Sequence, residues 1–393
     1  MLPALLCLAL TSSSQMHSTI AAYSTFIKSH DQSAKDYILS LFEKHDIVII
    51  CERTHPEMTQ YDLFTDIIAD DRFIDNVGNI FVEIGVSKLN PSLNNFLHSS
   101  NLTADSISAS ITKFQRNASM WPIWSPANYE LFYKKLYELN NPMPMEKKVN
   151  VYPSDIPFSW PEADSVTIVA LKQMLPARDS IIASQVIAGF NDILNAGGKR
   201  KKALVIMNYR HAFNQEFSLP GGRLMHNVAY YLFKQYGDRV ANVFLNTIKY
   251  GNNDSLFLLQ QGRWDAAFKS LNKKSAGFDF NGSPFGKDSF DIWPLKNSFT
   301  YSDVFTGFVF YQPVENHILS DGRPGLVDSI FKPELMRRVQ LISGVGNEFK
   351  SKMAGFEKAL NSNIPFLNLD EKKKYYQLDN LLTQRNQWLK MVR

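Results

Sequence analysis

The chain has 393 residues, of which 45% are hydrophobic and 20% are charged. This composition supports a large buried core and argues against an intrinsically disordered chain. The formal net charge is only +4, from 42 basic and 38 acidic side chains, so charge gives no indication of a nucleic-acid partner.

The N-terminal stretch MLPALLCLALTSSSQ changes from apolar to small and polar residues, as in the h-region and cleavage zone of a signal peptide. We therefore expect residues 1–22 to be a signal peptide and the protein to be secreted or periplasmic. No Lys or Arg precedes the apolar run, and a buried N-terminus is the alternative. This run is too short to span a bilayer and no later stretch is suitable, so we expect no integral membrane segment.

Cysteine content gives little information. Cys7 would leave with the signal peptide, and Cys51 would then be the one cysteine left. A single cysteine cannot form an internal disulfide, so no compartment is indicated. Cys51 with His55 has the form of a Cys/His pair, but a thiol within an apolar stretch usually acts as a small hydrophobic side chain.

Six apolar stretches rich in β-branched and aromatic residues predict strands. They are DIVIIC (46–51), NIFVEI (79–84), VNVYP (149–153), KALVIM (202–207), RVANVFLNT (239–247) and FTGFVFYQP (305–313). Several are nearly continuous, which is typical of strands buried on both faces. Helix-like segments lie between them at 57–70, 127–139, 178–195 and 224–236. The alternation predicts an α/β fold with a mainly parallel β-sheet flanked by helices.

Two segments interrupt this alternation. Residues 87–147 predict a helical insertion. Residues 250–300 are rich in Gly, Ser, Asn and Phe and show no helical period, which predicts a long loop, either over a pocket mouth or on the surface. Beyond about residue 325 the pattern is amphipathic. We therefore expect an α/β domain at 40–317 and a helical C-terminal extension at 325–393 that packs on it.

Ionisable residues occur where the predicted strands end. In a parallel α/β sheet, ligands bind outside the carboxyl ends of the strands. The residues expected at that edge are Glu52 and His55 after the first strand, Glu83 in the second, Asp155 after the third, and Arg210 and His211 after the fourth. If the first two strands pair, Glu52 and Glu83 are the carboxylates nearest to His55. The sequence therefore predicts a site at this edge.

These residue types suit hydrolysis without a Ser or Cys nucleophile. A histidine can take a proton from water, and a neighbouring carboxylate can orient its ring. An arginine can stabilise an oxyanion as it forms. The catalytic candidates are Glu52, His55, Glu83 and His211, with Arg178 or Arg210 as the cation. Each alone also fits a structural role, such as a surface ion pair between Glu52 and Arg53.

Four residues are expected to contact a substrate. These are Arg53, Trp124, Asp155 and Arg210. Trp121 and Trp124 lie in MWPIWSPANYELF (120–132), where their broad apolar faces fit a pocket wall and fit a helical core equally well.

Short motifs at these positions resemble the erythromycin esterase-like family, within the wider group that includes ChaN-like haem-binding lipoproteins. The family's strand followed by Gly-Glu-x-x-His is similar to the segment from Cys51 to His55, with cysteine in place of glycine. The Glu in its second strand is matched by Glu83 in FVEIG. The later matches are ARDSIIASQV, which gives Arg178 and Asp179, KALVIMNYRHAFN, which gives His211, and the final strand in DVFTGFVFYQP.

The resemblance covers roughly residues 40 to 315. It implies that Glu52, His55, Arg178 and His211 line an active cleft in which a histidine activates water against an ester. It also leaves two alternatives open, a haem- or small-ligand-binding protein and a metal-dependent hydrolase. We therefore expect a small-molecule substrate or ligand as the partner, with no certain cofactor and with a divalent metal or haem as the open choices.

Overall fold

The computed structural model describes residues 20–124, 126–219, 221–292, 297–320, 322–344, 346–360 and 366–392. Residues 1–19, most of the predicted signal peptide, lie outside the described residues. A helix over 20–29 begins inside the predicted boundary. Its residues Ile20, Tyr23 and Ile27 are buried, so this helix belongs to the folded core.

Strands and helices alternate along most of the chain. The strands are β1 (Ile47–Glu52), β2 (Asn79–Val86), β3 (Asn150–Asp155), β4 (Ala203–Asn208), β5 (Phe217–Ser218), β6 (Leu224–Met225), β7 (Val240–Leu245), β8 (Ile248–Tyr250), β9 (Leu256–Leu258), β10 (Ser275–Asp279) and β11 (Gly307–Tyr311). The helices are α1 (20–29), α2 (Ala34–Leu41), α3 (Thr59–Ile68), α4 (Asp71–Asn76), α5 (Asn90–His98), α6 (Ala104–Asn117), α7 (Asn128–Asn140), α8 (Ser165–Met174), α9 (Arg178–Asn195), α10 (Val228–Tyr236), α11 (Arg263–Ser270), α12 (Tyr301–Val304), α13 (Lys332–Ser343), α14 (Asn347–Leu360), α15 (Leu369–Tyr376) and α16 (Leu378–Val392).

Seven strands form the central sheet in the order β10–β11–β7–β1–β4–β2–β3. Neighbouring strands are parallel, except that β10 is antiparallel to β11. The predicted α/β fold with a mainly parallel sheet is confirmed, and all six predicted stretches are strands of this sheet. The first two strands do not pair with each other, because β4 lies between β1 and β2.

The segment 250–300 is not the long loop that its composition predicts. It contains β9, α11 and the edge strand β10. The glycine that makes β10 resemble a loop has a packing reason, because a Cβ on Gly277 would lie 2.4 Å from Cβ of Tyr37 in α2. Glycine therefore lets α2 lie directly on the sheet, and the strand loses the apolar pattern by which it would be recognised.

The alternation of side chains along the strands decides which way each carboxylate points. In β1, Ile47, Ile49 and Cys51 pack into one core layer with α9 and α10, whereas Val48 and Ile50 pack into the other layer with α3 and α7. Glu52 follows the second set and faces α3 and α7. In β2, Phe81 packs into the α9 layer, and Glu83 lies on the same face.

Helices supply the remaining layers. The region 87–147 contains α5, α6 and α7 and connects β2 to β3, which pair in parallel. The predicted C-terminal extension contains α13 to α16, and α16 packs on α11 and β9. Leu378 and Leu381 of α16 join Leu256 and Leu258 in one buried cluster. Among the described residues, no helix is both long enough and apolar enough to cross a membrane.

Candidate active site

A cavity of about 500 Å³ lies at the carboxyl ends of β1, β2, β4 and β7. It is lined by six residues predicted from the sequence, namely Arg53, His55, Glu83, Arg178, Arg210 and His211. Among the other lining residues, Asn208, Tyr250, His317 and Tyr376 were not predicted as site residues. This cavity therefore lies at the edge of the sheet where the ionisable residues were expected, and the C-terminal extension supplies part of its wall through Tyr376.

Glu52 and His55 form a close pair at the end of β1. Nδ1 of His55 lies 2.8 Å from Oε2 of Glu52, whose side chain is almost fully buried, whereas a quarter of the His55 side chain is exposed. Burial favours a lower pKa for His55, but the Glu52 and Glu83 carboxylates outweigh it, so the pKa is raised above its ordinary value. The pair has the geometry of a histidine base oriented by a carboxylate.

Behind Glu52, two buried side chains of the flanking helices form a hydrogen-bonded chain that ends on its carboxylate. The Tyr61 hydroxyl of α3 donates to Oε1 of Glu52, and Nδ2 of Asn128 in α7 donates to the Tyr61 oxygen at 2.9 Å. Burial and the neighbouring Glu52 raise the pKa of Tyr61 well above its ordinary value, so this tyrosine keeps its proton. Tyr61 and Asn128 were not predicted from the sequence, which shows them only as polar residues on amphipathic helices.

Glu83 is the centre of a second group on the other face of the sheet. Its Oε1 accepts from Nη2 of Arg178 at 3.0 Å and lies 3.2 Å from Nε2 of His211. Its Oε2 accepts from the backbone N–H of Asn208 at 2.8 Å. Burial raises the pKa of Glu83, but its interactions with the His211, His55 and Arg178 side chains outweigh burial and hold the pKa well below its usual range. Glu83 is therefore ionised at neutral pH.

The regular pairing of β2 is interrupted around Glu83. Gly85 has φ = +143°, in the region that favours glycine, and the register between β2 and β3 shifts between Val82 and Val86. A Cβ at Gly85 would lie 2.6 Å from Cβ of Pro153. The glycine of FVEIG therefore permits the close approach of β3 and sets the end of β2 where Glu83 meets the cavity.

Arg178 begins α9 and is held from behind by Asp155. Nε and Nη2 of Arg178 donate to the two oxygens of Asp155, each at 2.9 Å. Burial favours a lower pKa for the guanidinium, but Glu83 and Asp155 outweigh it and raise the pKa. Burial also raises the pKa of Asp155 against the pull of Arg178, yet the two parallel bonds require its ionised form. Asp155 thus positions Arg178 and lies behind the cavity wall, away from the surface expected to contact a substrate.

His211 lies between two carboxylates. Its Nδ1 is 2.8 Å from Oδ1 of Asp179, and its Nε2 faces Glu83. Burial favours a lower pKa for His211, but Glu83 and Asp179 outweigh it and raise the pKa to about 10. His211 is therefore an imidazolium at neutral pH, which suits stabilisation of negative charge or donation of a proton. Asp179, the partner of Nδ1, was not among the predicted site residues. The motif ARDSII had nevertheless indicated it.

Arg53 is buried, and its guanidinium is occupied by the protein. Nη1 donates to Glu57 at 2.7 Å, and Nε and Nη2 donate to the backbone and side-chain oxygens of Asn246, at 2.6 and 2.7 Å. The alternative interpretation, a surface ion pair between Glu52 and Arg53, is therefore wrong, because Arg53 pairs with Glu57 in the interior. With these bonds, Arg53 ties β1 to the end of β7, and its expected contact with a substrate stays a prediction.

The other predicted side chains have different positions. Arg210 is exposed at the cavity mouth, with its guanidinium carbon 5.8 Å from the Tyr209 ring centre and 5.6 Å from that of Tyr250. Trp124 is 8% exposed and packs its ring against the ring of His55 at 5.1 Å, edge to face. It therefore belongs to the core behind His55, as the second interpretation of its segment holds, whereas Trp121 is 53% exposed.

Cys51 has no place in this site. Its side chain packs into the α9 core layer, on the face opposite to Glu52, and is fully buried. Burial raises the pKa of its thiol well above the ordinary value. A buried neutral thiol is a poor nucleophile, so a Cys/His pair is not formed.

Glu52, His55 and Glu83 also satisfy the distance requirement for a metal site, since one ligand atom from each lies within 4.8 Å of the others. Their oxygens and Nδ1 are already engaged, by Tyr61 and His55 at Glu52 and by Arg178, His211 and Asn208 at Glu83. A divalent cation would have to displace these contacts next to two cationic side chains. The donor set therefore fits an ion poorly.

No family model and no curated protein matches the sequence. Similar solved structures include a Bacillus cereus protein, 11% identical, which covers 75% of this chain and 97% of its own length with a TM-score of 0.43. An erythromycin esterase EreC mutant in its open conformation is 10% identical, covers 69% and 91%, and gives 0.43. The type III effector HopBA1 is 13% identical, covers 56% and 89%, and gives 0.35. At these values the likeness assigns no function, and the family resemblance stays a prediction.

Proposed function

We propose that the chain is a hydrolase that cleaves an ester or lactone with water activated by His55. The observation that supports this most directly is that the two histidines at one cavity have different carboxylate partners. His55 is held through Nδ1 by Glu52, whereas His211 is held as an imidazolium between Asp179 and Glu83. A base and a cationic acid at one site are what addition of water to a carbonyl requires.

In the proposed reaction, Nε2 of His55 takes a proton from water as the water oxygen bonds to the carbonyl carbon. The carbonyl oxygen becomes an oxyanion, which Arg178 and His211 stabilise. Nη1 of Arg178 lies 3.3 Å from Nε2 of His211, so the oxyanion would be held where these two nitrogens meet, while Nε and Nη2 of Arg178 are committed to Asp155 and Glu83. The intermediate then expels the alkoxide, which takes the proton from His55. The products are an acid and an alcohol, and His55 returns to its neutral form.

The first test is a panel of short acyl esters and lactones assayed with the wild type and with His55→Ala. We expect the variant to lose at least a hundredfold in kcat/KM, because the base is removed. The matched control is His226→Ala, since His226 also pairs with a glutamate and is also 25% exposed but lies outside the cavity. Equal rates in all three proteins would contradict the proposal.

The pH profile gives a second prediction. His55 must be neutral to act as a base, so kcat/KM falls as the pH drops through its pKa, which is raised above the ordinary 6.5. His211 must be charged, so the rate also falls as the pH rises through about 10. We expect a bell-shaped profile with these two limbs, and His211→Asn should remove the alkaline limb. An alkaline limb that persists in this variant would contradict the role of His211.

A metal-dependent hydrolase is the second candidate, favoured by the grouping of Glu52, His55 and Glu83. Elemental analysis of protein purified without chelator or nickel affinity distinguishes the two candidates. Haem binding has weaker support, because the aromatic residues are concentrated in the two core layers rather than at the cavity. A Soret titration at micromolar protein tests it directly.

We also propose that the protein is exported. If a signal peptide is removed, cleavage before residue 20 is expected, because Ile20 is buried in the core and a cut after residue 22 would remove it. The mass of the mature chain recovered from the native host tests this, and a mature chain that begins after residue 22 would contradict the expected position.

A further inference from the structure

A closed ring of contacts passes through His55 and four buried side chains. It runs from His55 to Glu52, then to Tyr61, Asn128 and Trp124, and the Trp124 ring returns to the edge of the His55 ring. Except for His55, each side chain is at most 8% exposed. Solvent therefore has little access to these groups, and the position of each proton is set by hydrogen bonds within the protein.

The order of the protons begins at Trp124. Its indole Nε1 can only donate, so the amide atom of Asn128 that lies 3.0 Å away must be the oxygen. The amide nitrogen of Asn128 then faces the Tyr61 oxygen and donates to it at 2.9 Å. Because that oxygen accepts this bond, Tyr61 directs its own proton to Oε1 of Glu52.

Glu52 passes this order on to His55. An ionised carboxylate has no proton to donate, so the short contact between Oε2 and Nδ1 requires a proton on Nδ1. In the neutral ring Nε2 then carries the lone pair. The other charged groups that act on His55 are Glu83, which favours its protonated form, and the imidazolium of His211, which opposes it.

We propose that Tyr61 and Asn128 are positioning residues that act on His55 through Glu52. Glu52 holds His55 in the Nδ1–H tautomer, which leaves Nε2 as the base, and the hydrogen bond from Tyr61, itself oriented by Asn128, limits how tightly Glu52 holds that proton. Trp124, which the sequence assigned to substrate contact, lies in the segment that leads into α7. It fixes the orientation of the Asn128 amide by donating to its oxygen. The inference rests on the proposed function for its effect on turnover. The order of the protons is a property of the resting protein and can be measured without a substrate.

The test is NMR of the full chain labelled with ¹⁵N-histidine, with the His55 signals assigned by their loss in His55→Gln. We expect neutral His55 to show a protonated Nδ1 and an unprotonated Nε2. In Tyr61→Phe, Glu52 loses a donor and holds the His55 proton more tightly. The titration midpoint of His55 should then rise by about half to one pH unit. Because a larger fraction of His55 is then protonated, kcat of Tyr61→Phe at pH 7 should fall by about three- to tenfold with KM unchanged.

Tyr133→Phe is the matched control. It removes the same hydroxyl from the same core layer, and among the described residues the Tyr133 oxygen has no hydrogen-bond partner. We expect the His55 midpoint to stay at the wild-type value. Asn128→Asp is a second variant that keeps the Tyr61 ring. Its carboxylate competes with Glu52 for the Tyr61 proton, and the His55 midpoint should rise again.

Two results would overturn the inference. One is a wild-type His55 with its neutral proton on Nε2, and the other is a midpoint that moves equally in Tyr61→Phe and Tyr133→Phe. The expected tautomer and shift in a protein that hydrolyses no ester of the panel would support the inference and contradict the proposed function alone. The two ideas therefore fail separately.

Discussion

Glu52→Gln is expected to lower turnover by about a hundredfold or more while the protein keeps its fold. The carboxylate accepts two hydrogen bonds at once, one from the Tyr61 hydroxyl and one from Nδ1–H of His55. An amide can accept only one of them and must turn its NH₂ group to the other. If the NH₂ faces Nδ1, the His55 proton moves to Nε2 and the base is lost. The raised pKa of His55 also depends on the charge of Glu52.

Steady-state rates and melting temperatures of this variant separate catalysis from stability. The control is Glu216→Gln, which changes the carboxylate partner of His226 in the same way, outside the cavity. We expect the control to keep the wild-type rate. A Glu52→Gln variant with an unchanged rate would contradict the assignment of His55 as a base held by Glu52. A large loss of stability with little loss of rate would give Glu52 a structural role alone.

The sequence predicted the sheet well because its strands are continuously apolar. The six predicted stretches became β1, β2, β3, β4, β7 and β11. It missed β10 because Gly277 must leave room for Tyr37, a requirement that comes from α2 and is absent from the local pattern. The order of the strands was also beyond the pattern. The position of β4 between β1 and β2 depends on the whole fold, and no local sequence pattern indicates it.

The candidate site shows the same division. Residues at the strand ends were predicted, because a parallel sheet brings those ends to one edge. The partners Tyr61 and Asn128 were not predicted, since they lie on helices whose orientation depends on packing. Asp179 was indicated only by the resemblance of ARDSIIASQV to a family motif. The partners of Arg53 were missed for the same reason. Its neighbour in sequence, Glu52, suggested a surface ion pair, whereas in the fold Arg53 bonds to Glu57 and Asn246. The positions of the ionisable side chains follow from the strand ends, whereas their hydrogen-bond partners depend on how the helices pack.

Arg178→Ala is expected to have the second large effect, and it acts on both stability and rate. Removal of the guanidinium leaves Asp155 without its two bonds and Glu83 with one cation fewer, both in the interior. Loss of one partner of a buried ion pair typically costs about 3 to 5 kcal/mol of unfolding free energy. Loss of an oxyanion donor typically costs about a hundred- to a thousandfold in kcat.

A double-mutant cycle with Asp155→Ala separates these two effects. Removing Asp155 as well takes away the unpaired buried carboxylate, so the double variant should recover part of the lost stability. It should not recover turnover, because the group that stabilises the oxyanion is still absent. Arg72→Ala is the control, since Arg72 is 53% exposed and its ion pairs should contribute only about 0 to 1 kcal/mol. If turnover returns together with stability in the double variant, Arg178 acts only by balancing Asp155, and the oxyanion must be held by His211 alone.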